Sequence, residues 1–133
     1  MMKTISAALL GFGAFALAAA YAADTTKTAD PPELAKYNRT GKFENCITNH
    51  QISSMRILNK KQILIEMHGG GVDYLAEADH CPSLNRNLTL VYDATIDELC
   101  NTTIIHLADV SSPVSQRGTC GIDRFERLEK KKN

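Results

Sequence analysis

The sequence predicts a small, mainly β domain: an antiparallel sheet of about six strands, barrel-like or half-closed, stapled by disulfides. Three observations carry this expectation. Apolar residues recur with a period of two over much of the chain. Clusters of Gly, Asn and Lys separate the apolar runs at hairpin spacing. Four cysteines, Cys46, Cys81, Cys100 and Cys120, all follow an N-terminal stretch with the form of an export signal, and an even cysteine count in a short exported chain marks disulfide bridges.

In chain order, Lys3 supplies a positive start, Ile5 to Ala20 an apolar run, and Ala20-Tyr21-Ala22 the small-x-small form that a signal peptidase requires. Residues 1–22 are therefore read as a cleaved signal peptide. Gly11 and Gly13 interrupt the run, which falls short of the about 20 apolar residues of a permanent span. No second such segment follows, and no Cys stands at the cleavage point to carry a lipid. The expected location is the periplasm or outside the cell, in a Gram-negative bacterium. Residues 23–42 read as a flexible leader of Thr, Lys, Asp and Pro, in which Asp30, ahead of Pro31 and Pro32, caps a short, loosely packed helix through Tyr37. Residues 43–129 form the single β domain, and 130–133 a solvated basic tail.

Within the domain, Met55 and Ile57 alternate with Arg56. Ile63, Ile65 and Met67 alternate with Glu66 and His68, and Val72 and Tyr74 with Asp73. Asn59-Lys60-Lys61 provides the first turn and Gly69-Gly70-Gly71 the second, because glycine accepts the positive φ of tight hairpins. Leu88, Leu90 and Tyr92 mark a further strand, Ile105 and Leu107 another, and Ile122 to Leu128 the last. Ala94 to Leu99 reads as a short helix or a wide turn. Ser111-Ser112-Pro113 and Gln116-Arg117-Gly118 read as a loop before Cys120.

The 133 residues carry 15 basic and 15 acidic side chains, and loss of Lys3 with the signal leaves one acid in excess. Such a balance argues against a nucleic-acid or anionic-membrane binder. About 110 mature residues bury only a modest core, the size at which covalent links matter most. Four cysteines allow three pairings. The nested one, Cys46 with Cys120 and Cys81 with Cys100, is favoured because it ties both ends of the domain together; its loops of roughly 75 and roughly 20 residues contribute about 4.5 and about 3 kcal/mol.

Other features have a chemical and a plain reading. His80, Cys81, Cys100 and His106 hold suitable zinc donors, but without the Cys-x-x-Cys or His-x3-His spacing that preorganises a site. Cys81 or Cys120 beside a histidine would make a nucleophile only if reduced and ionised. His68-Gly69-Gly70-Gly71 matches the oxyanion string of lipases, yet no Gly-x-Ser-x-Gly elbow accompanies it, so it reads as a turn. His50, His68, His80 and His106 are scattered, without the spacing that would bring two to one point, and read as surface or strand-face residues. Asp93, Asp97, Glu98 and Asp109 lack calcium-loop spacing and read as charge at turns.

The arrangement of Cys46, Ile52, the glycines after Met67, Tyr74, Cys81-Pro82-Ser83-Leu84, Leu99-Cys100 and Cys120-Gly121-Ile122-Asp123-Arg124-Phe125 resembles a family of short secreted proteobacterial proteins, the domain-of-unknown-function family numbered 6491. The resemblance runs from about Phe43 to Leu128 and implies an exported bacterial protein, with no catalytic or binding residues to carry over. The chain departs from that pattern at His68, at Ser83 and at Thr102 or Thr103.

The expected function is that of a non-catalytic binding or envelope-interaction module, with an unknown protein or envelope component as partner and with no catalytic residue, metal or cofactor. The expected surface is an apolar patch of Leu64, Val91 and Ile104, out of phase with their core-facing neighbours; a two-sided core would explain the same residues. The alternatives are a small periplasmic enzyme using a Cys with His80 or His106, and a zinc-binding domain.

Overall fold

Residues 30–93 and 96–132 are described by a computed structural model; the expected signal peptide, the leader up to residue 29, Ala94, Thr95 and Asn133 lie outside them. Among the described residues, three antiparallel sheets make up the fold, and none closes into a barrel. The largest has the order β1 (Tyr37–Glu44), β10 (Arg124–Lys130), β5 (Val72–Glu77), β4 (Gln62–Met67), β3 (Ile52–Ile57). A second joins β6 (Leu88–Tyr92), β8 (Ile105–Asp109) and β9 (Ser112–Cys120), and a third pairs β2 (Cys46–Thr48) with β7 (Glu98–Cys100).

The expected hairpins are present. In the β3–β4 turn, Asn59 Oδ1 accepts the Lys61 N–H (2.8 Å) and the Leu58 N–H bonds to the Gln62 carbonyl (2.9 Å). Between β4 and β5, Gly69 and Gly70 take φ of 98° and 74°, a left-handed conformation in which a side chain would be strained. The last strand lies inside its sheet, pairing with β5 on one side and β1 on the other.

This sheet is buried on both faces. Ile63, Ile65, Ala76 and Phe125 face the two smaller sheets and pack with Ile47, Leu99, Leu88, Ile105 and Leu107 into the main core. Leu64, Leu75 and Leu128 face the opposite way, into a second cluster closed by Leu34, Tyr37 and Leu58. Leu64 is therefore core and leaves the proposed patch. Its neighbours Ile63 and Ile65 are equally inaccessible, the continuous burial of a strand covered on both faces.

The second cluster corrects the reading of 23–42 as flexible leader over its described part. Pro32 sets the first turn of a 3-10 helix, Pro32–Lys36, started by the Leu34 N–H bonding to the Pro31 carbonyl (2.9 Å). The expected Asp30 cap is not made; Pro31 occupies the cap position. Rather than packing loosely, Leu34 and Tyr37 are each 4% exposed, and β1 begins at Tyr37. Thr40 to Lys42 bulge out of the register between Arg39 and Phe43, where Gly41 adopts φ of 67°. At the other end, Lys130 belongs to β10.

The disulfides join Cys46 to Cys100 and Cys81 to Cys120, which overturns the nested pairing. The cause lies in β2 and β7. Asn101 N–H bonds to the Asn45 carbonyl (2.7 Å) and Asn49 N–H to the Asp97 carbonyl (3.0 Å), so the directly opposed Cys46 and Cys100 occupy the close, non-hydrogen-bonded site between them. Cys81, at the turn closed by the Leu84 N–H bonding to its carbonyl (3.1 Å), meets Cys120 at the end of β9. The bridges close spans of 54 and 39 residues. Each contributes about 4 kcal/mol by the loop-entropy relation.

Two further segments differ from expectation. Ala94 to Leu99 is not a helix over its described residues: Glu98 and Leu99 belong to β7. The loop before Cys120 is β9, an edge strand whose register shifts twice against β8 and which carries no buried side chain before Cys120 among those described.

Candidate binding surface

Both bridges remove sulfur from the reactive inventory, since no cysteine is free. Of the residues weighed as zinc donors, His80, Cys81 and Cys100 have other partners. His80 Nδ1 lies 3.2 Å from Asp123 Oδ1, beside Cys81 in its bridge to Cys120, while Cys100 is bonded to Cys46. Ligand atoms of Cys46, Glu98 and Cys100 do lie within 4.8 Å of one another, but the two sulfurs are joined to each other and offer no thiolate pair. His68 opens the glycine turn and bonds through its N–H to the Gln51 carbonyl (2.7 Å).

The carboxylates read as turn charges are placed one by one. Asp97 accepts from the His50 N–H (3.1 Å) and pairs with His50 Nδ1, fastening the β2–β3 connection to the approach to β7. Asp109 takes Arg117 Nε at 2.8 Å and Nη2 at 2.7 Å across the β8–β9 hairpin. Asp93 and Glu98 remain at the rim of a recess described below.

Two carboxylates that the sequence did not single out are buried on the second face of the large sheet. Asp73 is inaccessible and accepts the Tyr37 hydroxyl at 2.5 Å and the Met67 N–H at 2.8 Å, with Lys130 Nζ at 3.8 Å. Burial, reinforced by this carboxylate, pushes the Tyr37 hydroxyl well above the ordinary phenol range. Glu126 receives Arg39 through Nε (2.9 Å) and Nη2, and the Gly41 N–H at 3.2 Å. The hydrogen bonds to Glu126 raise the Arg39 guanidinium further above its usual value. The Gly41 bulge is what brings that N–H to the carboxylate. Their partners among the described residues come from β1, β4 and β10, so both lock the first strand onto the sheet.

A few large apolar side chains are left exposed. Opposed positions across β6, β8 and β9 are Val91, His106 and Thr119. Ile105 and Leu107 face the core, so Ile104 and His106 share the outer face with Val91. Val91 is 42%, Ile104 65% and Ile96 66% exposed. Ile96 and Ile104 line a shallow recess of about 350 Å3 with His106, Asp93, Glu98 and Thr102. His106 Nδ1 is buried there with no hydrogen-bond partner among the described residues. Two of the three expected patch residues thus persist, joined by Ile96 from a segment whose fold the sequence left open. Among the described residues, no helix is long and apolar enough to cross a membrane.

No family model, no curated protein and no solved structure matches the chain.

Proposed function

We propose that this chain is an exported, non-catalytic module that docks a protein of the bacterial envelope through the outer face of the β6–β8–β9 sheet. The observation that carries the reading is the pairing of two facts: all four thiols are consumed as bridges, while Val91 on the outer side of β6 and Ile96 and Ile104, which precede β7 and β8, stay exposed. Oxidised cysteines suit a compartment outside the cytoplasm. The use of all four in bridges also supports membership of the family numbered 6491, whose resemblance rests on those positions.

The rim of the face selects the partner. Asp93 and Glu98 flank the isoleucines, which disfavours anionic lipid and favours a protein surface with an apolar knob and a basic border. An interface of this kind gains most from its large, desolvated centre, here Ile104.

A photoreactive residue at position 91, compared with one at position 129 on β10, tests the proposal in intact cells. A discrete adduct from position 91, lost in Ile104→Asp and retained in Lys132→Asp, is expected. Equal adducts from both positions, or an adduct insensitive to Ile104→Asp, would refute it.

A further inference from the structure

The large sheet ends at β3, and the three-stranded sheet begins beside it at β6, yet the two edges are not hydrogen-bonded to each other. A recess of about 350 Å3 lies at this junction, lined by Met55 and Ile57 of β3, Leu88 and Leu90 of β6, and by Glu33 and Arg86. We propose that it is a binding site for a short extended peptide segment carrying an apolar and a basic side chain. This goes beyond the docking face, uses none of its residues, and stands or falls separately from it.

Main-chain geometry supplies the first argument. The Leu58 N–H bonds to the Gln62 carbonyl, and the β3–β4 register opposes Ile57 to Ile63, Arg56 to Leu64 and Met55 to Ile65. Hydrogen-bonded and open pairs alternate along antiparallel strands, so Arg56 bonds to β4 while Met55 and Ile57 turn their N–H and C=O groups away from it, toward β6. Two residues of extended chain span about 6.6 Å, so three residues of an added strand meet both sets of groups. An open edge of this kind is a ready template for strand addition.

Side chains supply the second. Met55, Ile57, Leu88 and Leu90 present an apolar floor continuous with the main core. Glu33 gives one carboxylate oxygen to Arg86 Nη1 (3.2 Å), and Arg86 Nε is held by the Leu58 carbonyl (2.6 Å). The other oxygen, Oε2, is buried with no partner among the described residues. The Glu33 side chain as a whole is 25% exposed and has one oxygen unpaired, so an ammonium or guanidinium seated in the recess gains a charge-assisted hydrogen bond once the carboxylate turns toward it. Arg56, whose Nη2 bonds to Glu66 at 2.9 Å, makes no hydrogen bond to that oxygen. The ligand is therefore a peptide read by its backbone, with specificity for one apolar and one cationic group.

The probes are the capped tripeptide acetyl-Leu-Val-Lys-amide, its norleucine counterpart lacking the charge, and versions N-methylated at each backbone nitrogen in turn. Titration of the oxidised protein is followed by amide NMR. The lysine peptide should bind saturably at millimolar concentration or below and shift and protect the Met55 and Ile57 amides. The norleucine peptide should bind about tenfold more weakly, the scale of one hydrogen bond to a charged group, and Glu33→Gln should abolish that preference. At least one N-methylation should eliminate binding, a result that needs no protein variant. Ile104→Asp should leave peptide binding unchanged. Absence of saturable binding, perturbations centred on Ile104 rather than Met55 and Ile57, or tolerance of every N-methylation would overturn the assignment.

Discussion

Replacing Tyr37 by Phe deletes a single hydroxyl, and the structure makes its cost calculable. That hydroxyl donates to Asp73, which is completely inaccessible and among the described residues otherwise meets only the Met67 N–H and, at 3.8 Å, Lys130 Nζ. A hydrogen bond to a buried charged group is worth about 1.5–3 kcal/mol. With partial compensation by Lys130, a loss of about 2 kcal/mol is expected, or about 8–16 °C in melting temperature for a domain of this size. The aromatic ring still fills its place beside Leu34, so no cavity adds to the figure. The alkaline limb carries an independent signature. Because the folded-state value of Tyr37 is raised, the unfolded chain releases that proton first as pH passes its ordinary value of 10.0. The contribution of the hydroxyl is complete below that pH and is lost as pH climbs toward the folded value. Tyr37→Phe should flatten this limb, leaving the smaller slope from Tyr74 and Tyr92, both raised by burial. Urea unfolding with disulfides intact, followed by far-UV circular dichroism from pH 7 to pH 11, measures both. A loss below about 0.5 kcal/mol, with an unchanged alkaline slope, would show that the first strand is not held by Asp73.

Two other outcomes follow from the same face. Leu34→Ala should destabilise by about 2–4 kcal/mol, as for a buried leucine, whereas a loosely packed leader would tolerate it; the same urea titration decides. Glu66 is held below its ordinary value chiefly by the Ser54 hydroxyl, which donates at 2.6 Å, and by Arg56 and Lys36. Its stabilising effect is complete above the ordinary carboxylate value of 4.5 and is lost as pH falls through the lowered one, so Ser54→Ala should move the midpoint of acid unfolding upward while changing stability less at low pH than at pH 7.

The hairpins β3–β4 and β4–β5 were legible because their apolar runs are flanked by Asn59-Lys60-Lys61 and Gly69-Gly70-Gly71, local signals that need no partner. Strands whose burial depends on distant partners were not. In β1, only Tyr37 is fully buried, and Gly41 breaks the period with a bulge. In β9, Val114 to Thr119 stay accessible, as suits an edge. The disulfide pairing escaped for a related reason: β2 and β7 have three residues each, too few to show any period, and their register alone puts Cys46 opposite Cys100. Val91 and Ile104 announced an outward face by falling out of phase with their neighbours. Leu64 gave the same signal from a strand covered on both sides, and alternation cannot separate these cases. The recess at β3 had no signature at all, since Glu33, Met55, Arg86 and Leu90 come from four segments.

Digestion of the protein under non-reducing conditions, with mass mapping of the linked peptides, tests most directly that sulfur here is structural and joins these particular strands. The expected products couple the peptide of Cys46 to that of Cys100 and the peptide of Cys81 to that of Cys120, with no thiol open to alkylation. Recovery of Cys46 linked to Cys120, or of two or more alkylated cysteines in the native protein, would contradict both the packing of the three sheets and the assignment of the chain as a binding module without a reactive centre.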